Sequence, residues 1–282
     1  DPFKKLTTVF QMSEEMFFLH YGKDGCNRHV LIDECRELFG EIYEQIPELP
    51  FCNIWTAMQL SSRLPKGALF HMGVSNTRRC WNMFQLPESV ESACNVGCCG
   101  IDGCVSTLVG ASLVNPDRLC YVVVGDLTFF YDLNSLGNHH IGTNLRVMLG
   151  NNGRGTEFRL GIHHCNVFGD DADKYMAAAG HFGNKSPLLV KHYAEDLGFH
   201  YLSATTKEEF MTALSNFTNP QLSDHSMILE VFTDSKDESE ALYLMSHIQS
   251  DAKGMVRSKL KDAVRNVAGE KGINAIKKIL KK

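Results

Sequence analysis

Short, mostly apolar runs alternate with longer amphipathic stretches from residue 51 onward. The runs at 68–74, 121–124, 145–150, 200–203 and 227–232 are brief and largely continuous rather than alternating. Continuous hydrophobicity marks strands covered on both faces. Between them, helical spacing is predicted near 54–64 and 102–114, after Tyr131, and at 171–179, 188–197 and 207–217. The last of these opens on Thr205-Thr206-Lys207-Glu208-Glu209, the layout of a capping box, in which a hydroxyl and a glutamate each satisfy a free helix-terminal amide. Strands and helices taking turns predict an α/β fold: a doubly wound, mostly parallel sheet with helices on both faces.

The two ends of the chain read differently. Residues 1–50 hold helical patterns, notably VLIDECRELF, and close on Pro47-Glu48-Leu49-Pro50, where proline stops a helix and stiffens the connection. They are expected to be a linker or the remnant of a preceding domain, because the start at Asp1 resembles the interior of a longer polypeptide. Residues 51–250 form the α/β domain. Residues 251–282 carry ten lysines and arginines against Asp251, Asp262 and Glu270, with Val256, Leu260, Val264 and Val267 at roughly helical spacing. This predicts a basic amphipathic helical tail.

The formal net charge of −5 hides that asymmetry. No aromatic residue interleaves the basic ones, so nucleic acid is not an expected partner. No stretch approaches the roughly 18 consecutive apolar residues of a membrane helix, and the first residues lack the layout of a signal peptide. A cytoplasmic protein without a transmembrane segment is expected. Ten cysteines in 282 residues are thin for a disulfide scaffold, and a reduced state is expected. Cys94, Cys98, Cys99 and Cys104 cluster without any C-x-x-C pair, which argues against zinc.

Two apolar runs end abruptly in polar, glycine-containing turns: VVVGDLTFF before residue 131 and VMLGNNGRG before residue 156. In open parallel sheets, ligands bind beyond the carboxyl ends of the strands. If these two strands are neighbours, the Asp126 carboxylate and the Asn152 amide oxygen face one spot. Together with a backbone carbonyl they make a hard-oxygen set for Mg2+, which completes its octahedron at about 2.1 Å with phosphate oxygens and water. A single carboxylate leaves the metal net positive, so a diphosphate is the fitting ligand. Amides at Leu127 and the Thr128 hydroxyl, at the start of a helix, can hold the same anion. Gly153 and Gly155 let the loop turn inward.

Gly-Asp, the interval of 26 residues from Asp126 to Asn152, and Asn-Asn-Gly resemble the cofactor motif of thiamine-diphosphate-dependent enzymes. More closely, GCCGIDGCVSTLVGASL, VVVGDLTFFYDLNSL and NNGRGTEF resemble the C-terminal, diphosphate-binding domain of the SEPHCHC synthase branch in the menaquinone pathway, over about 54–232. The resemblance implies thiamine diphosphate and Mg2+ as cofactors. It implies metal ligation by the Asp126 and Asn152 side chains and the Arg154 backbone oxygen, and a cofactor lining of Gly100, Ile101, Gly125, Asp126, Leu127, Thr128, Asn152 and Gly155. Ile101 falls where the family props its cofactor in a bent conformation. Leu127 matches the Gly-Asp-Leu of the synthase branch rather than the commoner Gly-Asp-Gly. Ser75 and Arg79, in GVSNTRR, match residues that meet substrate carboxylates, which arginine grips with two parallel hydrogen bonds. Val96 stands where the synthase has a second arginine, which implies a substrate pair other than the menaquinone one.

The implied activity is decarboxylation, carboligation or both on a 2-oxo acid, similar to SEPHCHC synthase or acetolactate-synthase-like enzymes. In the family, the glutamate that activates the cofactor lies on a separate pyrimidine-binding domain, and no copy of that domain is visible here. A catalytic residue is therefore not assigned. The implied partner is a pyrimidine-binding domain of the same enzyme or of a partner subunit, in a homodimer or higher assembly. The alternative reading is a non-catalytic α/β module that keeps the fold for assembly or for another phosphate ligand. A nicotinamide or flavin site lacks its Gly-x-Gly-x-x-Gly turn. His139-His140 read as packing or surface, whereas His163 and Glu157 are candidates for a loop over substrate.

Overall fold

The structure, a computed structural model, describes residues 6–22, 30–97, 99–155, 163–171 and 186–248. The chain divides into two compact units, Asp1–Gln45 and Ile46–Lys282. In the first, helix α1 (Glu14–Tyr21) is capped by Ser13, whose hydroxyl accepts from the Met16 amide, and α2 (Val30–Glu44) follows. Phe10, Phe17 and Tyr21 pack their rings together there. In the second unit, Leu49 is already buried in the core, so the Pro47–Pro50 segment packs with the α/β fold. The basic tail at 251–282 lies outside the described residues.

The second unit holds six parallel strands in the order β2-β1-β3-β4-β6-β5. They are β1 (Leu69–Met72), β2 (Glu91–Cys94), β3 (Cys120–Gly125), β4 (Leu145–Asn151), β5 (His200–Ala204) and β6 (Met227–Phe232). Around them run α3 (Asn53–Leu60), α4 (Asn76–Trp81), α5 (Cys104–Val114), α6 (Asp126–Tyr131), α7 (Leu189–Asp196), α8 (Lys207–Phe217) and α9 (Ser235–Ser246). Successive side chains of a strand point to opposite faces, and both faces are apolar. Tyr121 and Val123 join a core with Trp81 of α4 and Phe210 and Phe217 of α8, while Val122 and Val124 join one with Leu108 of α5, Phe129 of α6 and Val190 of α7. The doubly wound parallel sheet with helices on both faces is therefore what the continuous strands predict.

Local chemistry sets the element ends. The Thr206 hydroxyl accepts from the Glu209 amide at 3.2 Å, and the Glu209 carboxylate returns to the Thr205 amide at 2.7 Å. The capping box thus closes one residue further back than its usual form. The helix start expected at Leu127 and Thr128 is that of α6, which runs from Asp126 to Tyr131, but the helix expected after Tyr131 is only a 3-10 turn at Leu133–Gly137. Asp132 leaves the helical track, with φ −113°, and its carboxylate accepts from the Ser106 amide at 2.7 Å, capping α5. Helix α5 starts at Cys104, after Gly103 at φ 84°, a left-handed conformation that glycine adopts without steric cost.

Three elements were not legible. Strand β2 is a four-residue edge strand with an exposed polar face, α4 carries the polar sequence NTRRCW, and α9 opens on charged residues. Of the helix expected at 171–179, only a 3-10 segment ending at Asp171 lies among the described residues. Burial pushes the Cys52 thiol up to about 12 and Cys120 to about 11, so neither thiol is reactive near neutral pH.

Candidate cofactor site at the strand ends

The winding of the sheet selects one end of it. From β1 the chain leaves through α4 on one face to the edge strand β2, then crosses back to β3, which pairs with β1 on its other side. From β3 it leaves through α6 on the opposite face to β4. Connections that part in opposite directions open a crevice beyond the carboxyl ends of β1 and β3, where doubly wound sheets bind ligands. Ser75 follows β1 at this crevice and Asp126 follows β3.

The two motif strands are neighbours, with Gly125 paired to Gly150. Asp126 and Asn151 therefore leave the sheet at the same level. Asp126 is only 3% exposed, and its Oδ1 accepts the Leu127 amide at 2.8 Å. Thr128 is also buried, and Leu127 is half-buried beside it. On the other strand, Asn151 Oδ1 accepts from the Gly153 amide at 3.2 Å and Asn152 Oδ1 accepts from the Arg154 amide at 3.3 Å. Two successive side-chain-to-backbone turns thus shape the loop, helped by Gly153 at φ 79°. Asn152, Arg154 and Gly155 are half-buried. An amide oxygen has two lone pairs, so the turn leaves Asn152 one for a further ligand.

Ser75 adopts φ 61°, ψ −123°, a conformation L-residues rarely take, directly between β1 and α4. Such strain costs of order 1–3 kcal/mol and persists where surrounding structure imposes it. Two residues earlier the chain is still packed against β3, where a Cβ on Gly73 would meet the Val123 carbonyl oxygen at 3.2 Å. Ser75 is exposed and Arg79 half-buried on α4, while Thr77 lies next to Gly125. Gly100 and Ile101 follow β2 in the loop ahead of α5, and Ile101 is half-buried and joins neither apolar core.

Sequence reading missed the acids and amides that support these turns. Glu230 of β6, 1% exposed, accepts from Asn151 Nδ2 at 2.7 Å and from the Tyr201 hydroxyl at 2.7 Å. Burial raises its pKa, the two hydrogen bonds oppose that rise, and Asp126 adds to it. Glu238 of α9, 2% exposed, accepts from the Asn53 amide at 3.1 Å and from the Thr233 hydroxyl at 2.9 Å. Burial pushes it up to about 7. Asn53 in turn fills the space over Gly150. The available signal was a lone acid inside MILEVF, where a charge in a core strand demands a partner.

Gly150 therefore has a packing role at the site. A Cβ there would lie 2.8 Å from Asn53 Oδ1, inside contact distance, and Asn53 is itself buried. Gly150→Ala is expected to destabilise the protein by about 1–3 kcal/mol. Denaturant unfolding checks this, and an unchanged midpoint would mean Asn53 swings aside freely.

The histidine pairs fall elsewhere. His139 and His140 lie in an exposed turn beyond the 3-10 segment, with rings 3.8 Å apart. His163 Nδ1 accepts from the Cys165 amide, and Glu157 lies outside the described residues. Among the described residues no three His, Cys, Asp or Glu side chains gather as a metal site. A cation at the strand ends would need amide and carbonyl oxygens beside Asp126, which is the donor set Mg2+ takes with phosphate. The residues present fit that ion. No helix among the described residues is long and apolar enough to cross a membrane.

No protein-family model matches the chain. It is 33% identical over 242 residues to the 2-succinyl-5-enolpyruvyl-6-hydroxy-3-cyclohexene-1-carboxylate synthase of Bacteroides fragilis, covering 84% of this chain and 41% of that protein. The synthase of the same name from Phocaeicola vulgatus is 34% identical over 244 residues, with 84% and 41% covered. That from Bacteroides thetaiotaomicron is 30% identical over 244 residues, with 86% and 42% covered. The chain spans about two fifths of the length of these relatives. With a third of its residues shared over most of its length, and a six-stranded parallel sheet carrying Asp126 and Asn151-Asn152 on neighbouring strand ends, the chain belongs to the SEPHCHC synthase family of thiamine-diphosphate-dependent enzymes.

Proposed function

We propose that this chain supplies the metal- and diphosphate-binding half of a thiamine-diphosphate-dependent enzyme that decarboxylates a 2-oxo acid, transfers its acyl portion to an acceptor, or both. The pairing of Gly125 with Gly150 carries the proposal, because it sets a buried carboxylate and an asparagine loop side by side next to the switch of the sheet. Asp126 and Asn152 would hold Mg2+ through side-chain oxygens and Arg154 through its carbonyl. Gly125, Leu127, Thr128 and Gly155 would line the diphosphate, and Gly100 and Ile101 the thiazolium end. The strained Ser75 and the half-buried Arg79 would fix the carboxylate of the substrate. When bound, thiamine diphosphate supplies the electron sink that loss of carbon dioxide from a 2-oxo acid requires. Activation of that cofactor falls to a pyrimidine-binding domain, on the same enzyme or a partner subunit, so the working unit is a dimer or larger.

The test is isothermal titration of thiamine diphosphate into the assembled protein. Heat is expected with magnesium and should vanish with EDTA. Binding indifferent to EDTA would overturn the metal assignment, and absence of binding would leave the non-catalytic module as the better reading.

A further inference from the structure

We infer that Glu230 is a positioning residue for the metal loop, acting through Asn151 to fix the path of residues 151–155. The inference rests on the reading of that loop as the metal site, and its first readout is independent of it. Glu230 belongs to neither α6 nor the loop: it is the one acid in β6, and its neighbours Leu229 and Val231 point into the opposite core. It sits on the same sheet face as Asn151 of β4 and Tyr201 of β5, so a chain of hydrogen bonds runs across three adjacent strands.

Donor and acceptor logic makes this chain directional. An ionised carboxylate only accepts, so it fixes the Asn151 NH2 group towards Glu230. The amide oxygen must then face the loop, where the Gly153 N–H donates to it at 3.2 Å. Flipping the amide would set NH2 against N–H, with no acceptor between them. Gly153, at φ 79°, turns the chain between Asn152 and Arg154, the two loop residues proposed above to hold the metal. Tyr201 gives Glu230 its second donor, so both carboxylate oxygens are satisfied at 1% exposure. Outer partners that orient ligands in this way typically change metal affinity 10–100-fold when removed.

Glutamine at 230 should preserve the arrangement. Its oxygen can accept from Asn151, and its NH2 can donate to the Tyr201 hydroxyl, which rotates to accept. Leucine can do neither. The experiment compares Glu230→Gln and Glu230→Leu with wild type in the assembled protein, first by amide hydrogen exchange at Gly153 without metal, then by Mn2+ binding in the presence of thiamine diphosphate. Circular dichroism and thermal unfolding establish that each variant is folded. The expected result is Gly153 protection lost in the leucine variant and kept in the glutamine variant, with Mn2+ affinity weakened 10–100-fold in the first and less than about threefold in the second. Equal Gly153 exchange in folded leucine variant and wild type would overturn the inference, whatever Mn2+ does. Lost protection with wild-type protein that binds no Mn2+ would support the positioning and overturn the reading of the loop as a metal site. If the leucine variant does not fold, Asn151→Leu, which removes the linking amide and leaves Glu230 in place, carries the same two outcomes.

Discussion

Asp126→Ala is expected to weaken magnesium-dependent thiamine diphosphate binding at least about 100-fold, or about 2.7 kcal/mol, while leaving the fold intact. The first half follows from charge: Asp126 is the carboxylate at the paired strand ends, and the amide and carbonyl oxygens around it carry no formal charge to hold a divalent ion. The second half follows from its neighbours. Asp126 raises the pKa of both Glu230 and Glu238, so its carboxylate is set against each of those buried acids. Alanine removes that repulsion and gives up the hydrogen bond to the Leu127 amide, worth about 1 kcal/mol. The two effects oppose, and the unfolding midpoint should stay near or above that of wild type. Titration calorimetry and denaturant unfolding on the same samples check both halves. Binding lost together with stability would recast Asp126 as a structural cap for α6. Unchanged binding would remove it from the site.

The outcome bears on why one strand closes in aspartate and its neighbour in asparagine. Polar groups at a strand end inside a protein are costly unless satisfied, and a folded chain keeps them where they bind something. Asn151 and Asn152 are satisfied by backbone turns and by Glu230. Asp126 lies 3% exposed and raises the pKa of two further buried acids, an arrangement that a bound cation would relieve.

Much of this was readable in the sequence because it is local. Continuous apolar strands report burial on both faces, and Gly-Asp and Asn-Asn-Gly report their own turns, so fold class and motif residues emerge from short windows. What stayed hidden depends on packing across the sheet. Strand β2 is an edge of four residues with too little apolar surface to register, and only its pairing with β1 makes it a strand. The helix expected after Tyr131 is only a 3-10 turn, because α6 ends there and Asp132 leaves the helical track to cap α5. Glu230, Glu238 and Asn53 are separated from the motif by scores of residues, and nothing in a window around Asp126 announces them. The positive φ of Ser75 likewise has no signal in the residues around it.

Glu238→Gln is expected to stabilise the protein at neutral and alkaline pH by up to roughly 3 kcal/mol. Burial is the main cause that lifts the folded-state value from 4.5 to about 7, with Asp237 and Asp126 adding to it. The folded chain therefore holds a proton that the unfolded chain has already released. Below pH about 4.5 both states are protonated and Glu238 costs nothing. As pH rises from there to about 7, stability falls, and above about 7 the full cost of a buried charge is present. Glutamine keeps an oxygen for the Asn53 amide and a donor for the Thr233 hydroxyl, so the hydrogen bonds survive while the titration disappears. His71 acts in the opposite sense: burial lowers its pKa, so its contribution is lost as pH falls through its unfolded value near 6.5. That opposing trend is common to wild type and variant and cancels in their difference. Denaturant unfolding at pH 4.5, 5.5, 6.5 and 8 should show the two curves nearly coincident at the lowest pH and diverging with the variant above. Parallel curves would show that Glu238 is ionised in the fold throughout, held by the Asn53 amide at the start of α3.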